Sequence, residues 1–206
     1  MLPKNLSSKQ IIKIWEQIHI DRQIPAGITI SQEIFDSWER SRRYHVDPFM
    51  TKNQHVISKK ELDRRIELNH KLLEVVIPYM NILYSITRNA GFCITISDSE
   101  GYILKRIGEK PEMDFTAYSN FIEGSNWSEE VMGTNAVGMV LIEDKPIQVY
   151  GYEHYCKCAC LSTCSAAPIH DPDNKLIGVL DLTGPFKYVN HHTLGMVVAS
   201  VYAIEN

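Results

Sequence analysis

The chain has 206 residues, of which 44% are hydrophobic and 22% charged, enough to fold around a sizeable core. Its net charge of −4 disfavours nonspecific binding to nucleic acid, which requires clustered lysine and arginine. No apolar run is long enough to span a membrane, and none resembles a signal peptide, so we expect a cytoplasmic protein.

Residues 1–57 are predicted to form a helical extension. A capping box at Ser7 predicts a helix over 8–23, and Ser31 can cap a second helix. The second helix carries three arginines beside an apolar stripe that includes Trp38. Because the whole chain is acidic, a solvated basic face opposite a buried tryptophan is favoured over a nucleic-acid surface.

Residues 58–90 are predicted to form one long helix, which begins at a capping box on Ser58. Apolar residues follow at alternating three- and four-residue steps over about three heptads. Asn69 occupies one position of this seam, where a buried amide can fix the register and the number of helices that pair. Pro78 is expected to kink the helix. Pairing with a second copy of the chain and packing on the chain's own domain both remain open.

Between 91 and 184 the hydrophobic period becomes alternating, which is typical of strands. The predicted strands are 92–96, 102–107, 147–150, 164–170 and 176–183. A short helix around 115–121 and a helix start at Ser128 interrupt them, and a closing helix spans 190–206. The pattern predicts an α+β fold with a central antiparallel sheet flanked by helices.

A series of short motifs runs along the chain in order. They are SWERS (37–41), VDP (46–48), WSEE (127–130), GTNA (133–136), EHY (153–155), CSAAPI (164–169) and GVLDLTG (178–184). Together they resemble the amino-terminal sensor region of sigma-54-dependent transcriptional activators, closest to the regulators of acetoin and dihydroxyacetone catabolism. The resemblance covers residues 30–206 and implies a GAF-like sensor domain in 58–206.

In that family the sensor binds a small effector and controls an AAA+ ATPase and a helix-turn-helix domain further along the chain. The resemblance therefore implies a small-molecule partner. We expect a homodimer that pairs through the helix around 62–83, with the closing helix as a second pairing element. No Gly-x-x-x-x-Gly-Lys-Ser/Thr phosphate loop occurs in the sequence, so we expect no ATP hydrolysis by these 206 residues. We also expect no direct contact with DNA or with a membrane.

Four of the five cysteines lie in or directly after the loop that follows His154. Cys156, Cys158, Cys160 and Cys164, with His154, offer enough ligands for zinc or an iron–sulfur cluster. A thiol–disulfide redox sensor is the second hypothesis, and small apolar fillers in a pocket loop are the third. Cys164 matches a position that is often cysteine in the family, whereas the other three are additions.

A ligand pocket is expected between the sheet and its covering helices and loops, by analogy with other GAF domains. The candidate lining residues are Phe92, Ile94, Trp127, Asn135, Tyr150, His154, Cys164 and Asp181. For Phe92, Ile94 and Tyr150, plain core packing is at least as well supported, and Asn135 could instead serve a structural turn. A small thiol- or metal-dependent enzyme is a further alternative, for which the sequence supplies residues but no geometry.

Overall fold

A five-stranded antiparallel sheet organises the chain. The structure is a computed structural model that describes residues 6–108, 119–188 and 190–206. The strands are β1 (Cys93–Asp98), β2 (Ile103–Ile107), β3 (Ile147–Tyr150), β4 (Ser162–His170) and β5 (Leu176–Pro185). Their spatial order is β2-β1-β5-β4-β3, which places the last strand of the chain at the centre. The α+β class and the antiparallel sheet predicted from the sequence are confirmed, with small shifts of the strand ends.

Seven α-helices flank the sheet within the described ranges. They are α1 (Ser8–His19), α2 (Gln32–Arg43), α3 (Lys59–Leu68), α4 (His70–Thr87), α5 (Glu129–Met132), α6 (Ala136–Glu143) and α7 (His191–Glu205). The hydroxyls of Ser7, Ser31 and Ser58 cap α1, α2 and α3 as predicted. The helix predicted around 115–121 lies mostly outside the described residues. None of the described helices has both the length and the apolarity that a membrane span needs.

The single long helix predicted over 58–90 is divided at Asn69 into α3 and α4. The Asn69 backbone leaves the helical region at φ −106° and ψ 18°, and its amide Nδ2 donates to the Arg65 carbonyl at 2.9 Å. A side chain that bonds to the backbone in this way competes with helix continuation. The break therefore lies at Asn69, whereas α4 continues past Pro78. The seam residues Val76 and Met80 are buried against the chain's own sheet.

Each face of the sheet carries its own hydrophobic core. One core joins α4 and α7 to alternate strand residues such as Ile94 and Leu182. The other joins α1, α2 and α6 to the opposite face and includes Trp15 and Trp38. The predicted helical extension thus shares a core with the sheet, and a domain boundary after residue 57 stays a prediction.

Candidate functional site

A narrow cavity lies between the sheet and the segments that cover its α6 face. Its empty volume is ≈ 330 Å³, but the centre of a water molecule can reach only ≈ 20 Å³ of that space. The lining residues are Ser119, Phe121, Trp127, Asn135, Ala136, Val137, His154, Cys158, Ala159, Ser162, Cys164, Asp181 and Thr183. Apolar walls with a few polar groups are typical of small-molecule sites. A ligand larger than water must widen this cavity to enter it.

The floor of the cavity is formed by the neighbouring strands β4 and β5. Cys164 pairs with Thr183 across the two strands, and Asp181 lies two residues earlier on the same face. The Thr183 hydroxyl donates to Oδ2 of Asp181 at 2.6 Å, whereas Oδ1 has no hydrogen-bond partner among the described residues. Burial raises the pKa of Asp181 to about 7, because desolvation disfavours the charged carboxylate.

His154 and Cys164 form a contact on the cavity wall. The His154 Nδ1 lies 3.0 Å from the Gly151 carbonyl oxygen, which can only accept, so Nδ1 carries the proton. Nε2 is then an acceptor, and the Cys164 Sγ lies 3.3 Å from it. Burial lowers the pKa of His154 to about 4 and raises the pKa of Cys164 well above its ordinary value. Both groups are therefore neutral, and this geometry does not supply the thiolate that a nucleophilic enzyme needs.

Asn135 fixes the turn that leads into α6. Its Oδ1 accepts from the Gly138 amide at 3.0 Å, and its Nδ2 donates to the Trp127 and Gly133 carbonyls at 3.0 and 2.8 Å. Gly133 has φ +62°, and a Cβ at this position would lie 2.6 Å from a ring atom of Tyr155. The Asn135 side chain is thus committed to backbone groups, as the structural interpretation of this residue predicts.

Five of the eight predicted lining residues meet at the cavity: Trp127, Asn135, His154, Cys164 and Asp181. Phe92 and Ile94 do not line it, because they belong to the core on the opposite face of the sheet. Tyr150 packs edge-on against the rings of Tyr152 and Phe186 instead. The sequence analysis missed Ser162 and Thr183, although alternation from Cys164 and Asp181 along their strands places both on the same face.

The side chains predicted as metal ligands do not converge. The Cys156 Sγ donates to the Met132 carbonyl at 3.2 Å, Cys158 lines the cavity, and Cys164 contacts His154. Among the residues that the structure describes, no three His, Cys, Asp or Glu side chains are arranged to hold a metal ion. A zinc or iron–sulfur centre stays a prediction of the sequence alone.

The five cysteines are free thiols. Burial raises the pKa of Cys158 and Cys160 to about 12, so both are protonated at neutral pH. Cys158 is the one cysteine with partial exposure, the others being buried. Protonated, buried thiols react slowly with oxidants, so this arrangement does not favour the redox-sensor hypothesis.

Two tryptophans of the helical extension hold the loop that carries His154. The indole Nε1 of Trp15 donates to the His154 carbonyl at 3.0 Å, and that of Trp38 donates to the Glu153 carbonyl at 2.7 Å. Both tryptophans are fully buried. Helices α1 and α2 therefore fix the two consecutive peptide groups that precede and follow the His154 Cα.

The buried carboxyl of Asp181 predicts a pH-dependent penalty on folding. Its pKa is raised from 3.8 to about 7, so between these values the folded chain keeps a proton that the unfolded chain releases. Rising pH across this window therefore removes stability from the wild type, by up to about 4 kcal/mol, and Asp181→Asn does not titrate. We expect the stability of D181N relative to the wild type to increase from about pH 4.5 to about pH 8 in urea denaturation.

Asp36→Asn, at an exposed carboxylate on α2, is the matched control. Its difference from the wild type should stay within about 0.5 kcal/mol over the same pH range. An equally constant difference for D181N would contradict the prediction.

The chain is similar in sequence to known transcriptional regulators. It is 33% identical over 176 residues to the acetoin dehydrogenase operon transcriptional activator AcoR of Bacillus subtilis, a match that spans 85% of this chain and 29% of AcoR. It is 24% identical over 156 residues to the propane 2-monooxygenase operon transcriptional activator MimR of Mycolicibacterium smegmatis, spanning 75% of this chain and 26% of MimR. The chain thus covers less than a third of either relative.

The fold is similar to that of the amino-terminal part of DhaR from E. coli, solved in a complex with DhaL. The two superpose with a TM-score of 0.79 at 18% identity, over 84% of this chain and 59% of that chain. This likeness confirms the predicted GAF-like architecture with its antiparallel sheet. Residues 19–203 match the family model described as MimR, N-terminal domain. The chain therefore belongs to the MimR N-terminal domain family.

Proposed function

We propose that this chain is the sensory domain of a transcriptional activator, and that the cavity beneath α6 binds its small organic effector. The supporting observation is the cavity itself, which is largely apolar and has polar atoms of Asp181, Thr183 and His154 on its wall. Similar relatives are named as activators of operons, one for acetoin dehydrogenase and one for propane 2-monooxygenase. As the resemblance implies, the output is control of an AAA+ ATPase and a helix-turn-helix domain of the same activator.

The signal is proposed to leave the cavity through the backbone of His154. The imidazole of this residue lines the cavity, while its carbonyl accepts from Trp15 on α1 and the preceding carbonyl accepts from Trp38 on α2. A ligand that widens the cavity therefore pushes on a segment to which both helices are bonded. The effector then shifts the domain between two arrangements of these helices, one with a narrow cavity and one with a widened cavity. The extent of that shift is set by the difference in effector affinity between the two arrangements.

A homodimer is part of the proposal. Val75, Ile82 and Ile86 on α4 and Tyr202 on α7 are exposed, although the seam beside them on α4 is buried. The two helices are neighbours, since the Tyr79 hydroxyl donates to the Ala203 carbonyl at 3.0 Å. Exposed apolar side chains on adjacent helices are suited to pairing with a second copy of the chain, which is the partner expected from the sequence.

Filling the cavity tests the effector-binding function. Val137 lies in the roof on α6 and is 2% exposed, so Val137→Trp should occupy the space that a ligand needs. We expect at least one of acetoin and other small uncharged alcohols and ketones to bind the wild type saturably in calorimetric titration. V137W should weaken that binding by more than roughly tenfold, a loss of about 1.4 kcal/mol in binding free energy.

Ile142→Trp is the matched control, because Ile142 lies on the same helix and is 46% exposed. It should leave the affinity unchanged, and circular dichroism should show both variants folded. If none of these compounds binds, or if V137W binds as tightly as I142W, the cavity is not the effector site.

A further inference from the structure

The end of the closing helix α7 and the end of α6 meet at one histidine. His170 is the last residue of β4. Its Nε2 lies 2.7 Å from Oδ1 of Asp144, the residue that follows α6, and its Nδ1 lies 3.1 Å from Oε1 of Glu205, the last residue of α7. The two carboxylates contact different ring nitrogens, so the ring lies between the ends of two helices.

Helix α6 connects this contact to the cavity. Ala136 and Val137, its first residues, line the cavity, and Asp144 follows its last residue. The helix has 8 residues, so about 12 Å of helix separate the cavity lining from the histidine contact. A displacement of α6 therefore acts on Asp144, and through His170 on α7.

The two ends of α7 are held by different chemistry. Asp144 and Glu205 lie at the C-terminal ends of their helices, where the partial charge is negative, so a charged imidazole between them is favourable. The first turn of α7 is held by neutral groups, since the Thr193 hydroxyl lies 2.9 Å from Nε2 of Gln148 and 3.0 Å from the Ser165 hydroxyl. A change of pH should therefore act on the last turn of α7 and not on the first.

The number of protons on His170 decides how many of these bonds form. Carboxylate oxygens only accept, so both ring nitrogens must carry a hydrogen for both contacts to be hydrogen bonds. The neutral ring has one N–H, and its second nitrogen presents a lone pair to a carboxylate oxygen. The backbone N–H of His170 also donates to Oε1 of Glu205 at 2.7 Å, and that bond does not depend on the ring. Deprotonation therefore weakens the contact without abolishing it.

We propose that His170 clamps the end of α7 to the end of α6, that the clamp is complete only when the imidazole carries both protons, and that pH thereby sets how firmly the two helix ends are held together. The clamp consists of the contacts of His170 with Asp144 and Glu205. The inference goes beyond effector binding and does not require it, because the clamp lies outside the cavity.

The direction of the pH dependence follows from the charges around the ring. Partial burial lowers the pKa of His170, but the hydrogen bonds and negative charges of Asp144 and Glu205 outweigh burial and raise the pKa above 6.5. The clamp therefore contributes its full stability below about pH 6.5 and loses it as pH rises through the raised pKa of the folded chain.

The other charged residues beside the clamp are engaged elsewhere or exposed. Lys145 donates to Glu33 at 2.7 Å, the Asp171 carboxylate accepts from amides of its own turn, and Lys175 is exposed. On β5 the residue that pairs with His170 is Leu176, which carries no charge. The charged groups in contact with the ring are thus the two carboxylates of the clamp.

NMR titration of the purified chain from about pH 5.5 to about pH 8.5 tests the inference. We expect the His170 ring to titrate with a midpoint above about 6.5. Over the same range, the backbone order parameters of at least one helix end, residues 142–144 or 203–205, should fall by about 0.1 or more. Residues 192–194, in the first turn of α7, are the internal reference and should keep their order parameters.

Two variants and a matched control assign the effect to the clamp. His170→Gln keeps a side-chain donor but has no group that titrates, so its helix ends should have the same order at every pH. Asp144→Asn should lower the midpoint of the His170 titration by roughly 0.5 pH units or more, because it removes one of the two negative charges. Asparagine tolerates the φ of +48° at this position. Asp173→Asn, at an exposed carboxylate in the turn after β4, should move the midpoint by less than about 0.2 pH units.

Three results would overturn the inference. If both helix ends keep their order while His170 titrates, the ring forms only a surface ion pair. If H170Q shows the same pH dependence as the wild type, another group is responsible for it. If D144N has the same midpoint as D173N, the Asp144 carboxylate is not bonded to the ring. None of these results bears on effector binding, so failure of the clamp is distinguishable from failure of the proposed function.

Discussion

Replacing Trp38 with alanine is expected to destabilise the protein by about 3–5 kcal/mol in urea or thermal unfolding. The side chain is 1% exposed, packs edge-on against the His19 ring at 4.9 Å between centroids, and donates its indole N–H to the Glu153 carbonyl. Alanine would leave a large cavity between α2 and the pocket loop, and would leave that carbonyl without its donor. Effector binding should weaken as well, since the bond holds the residue next to His154.

Two matched variants separate the contribution of the buried ring of Trp38 from that of its N–H donor. Trp38→Phe keeps most of the buried ring but removes the donor, so it should cost about 1–3 kcal/mol. Phe35→Ala removes a 42% exposed aromatic ring from the same helix and should change stability by less than about 1 kcal/mol. If W38A were as stable as F35A, α2 would not belong to the core that covers the sheet.

Removing the guanidinium of Arg40 is expected to cost about 3–5 kcal/mol, because it leaves the buried carboxylate of Glu129 without its counter-charge. Arg40 Nε and Nη2 donate to the two carboxylate oxygens at 2.6 and 2.9 Å, and the Glu129 side chain is 0% exposed. The Ser37 hydroxyl also donates to Glu129 at 2.5 Å. The bond to Glu129 raises the pKa of Arg40, so the guanidinium keeps its charge at all ordinary pH values.

The Arg40→Ala prediction has an internal control. Glu129→Gln in the R40A background removes the uncompensated charge and should recover part of the loss, which a double-mutant cycle measures. Arg42→Ala breaks a more exposed pair with Glu39 on the same helix and should cost less than about 1 kcal/mol. Equal losses for R40A and R42A would mean that the Arg40 pair contributes no more than a surface ion pair.

Trp38 and the hydrogen-bond network around Glu129 both reach the segments that line the cavity. The hydroxyl oxygens of Ser37 and Thr134 lie 2.7 Å apart, one residue before the turn residue Asn135, and the Ser37 oxygen accepts there because its proton is donated to Glu129. Trp38 donates to the carbonyl before His154. Neighbouring residues of α2 are thus bonded to two separate segments of the cavity wall. This arrangement provides a physical connection by which a change in the width of the cavity reaches the amino-terminal helices.

The elements predicted correctly from the sequence are those whose signals are local. The serines that cap α1, α2 and α3 act on amides three residues away, and the alternating period gave the five strands, because both depend only on near neighbours. The ordered motifs indicated the activator family, and the match to the MimR N-terminal domain family and the similarity to AcoR confirm it. The break at Asn69 was not predicted, since an amide in a heptad seam fits both a continuous helix and a helix end.

Which side chains form the site depends on long-range packing. Strand order β1-β5-β4 brings Cys164, Asp181 and Thr183 together, while Ile94 faces the other core. The short turns of the loop after His154 separate the cysteines, although they are close in sequence. The two tryptophan bonds that hold this loop join residues 139 and 115 positions apart. Such contacts depend on how elements that are far apart in the sequence pack together. The local spacing of hydrophobic residues carries no information about them.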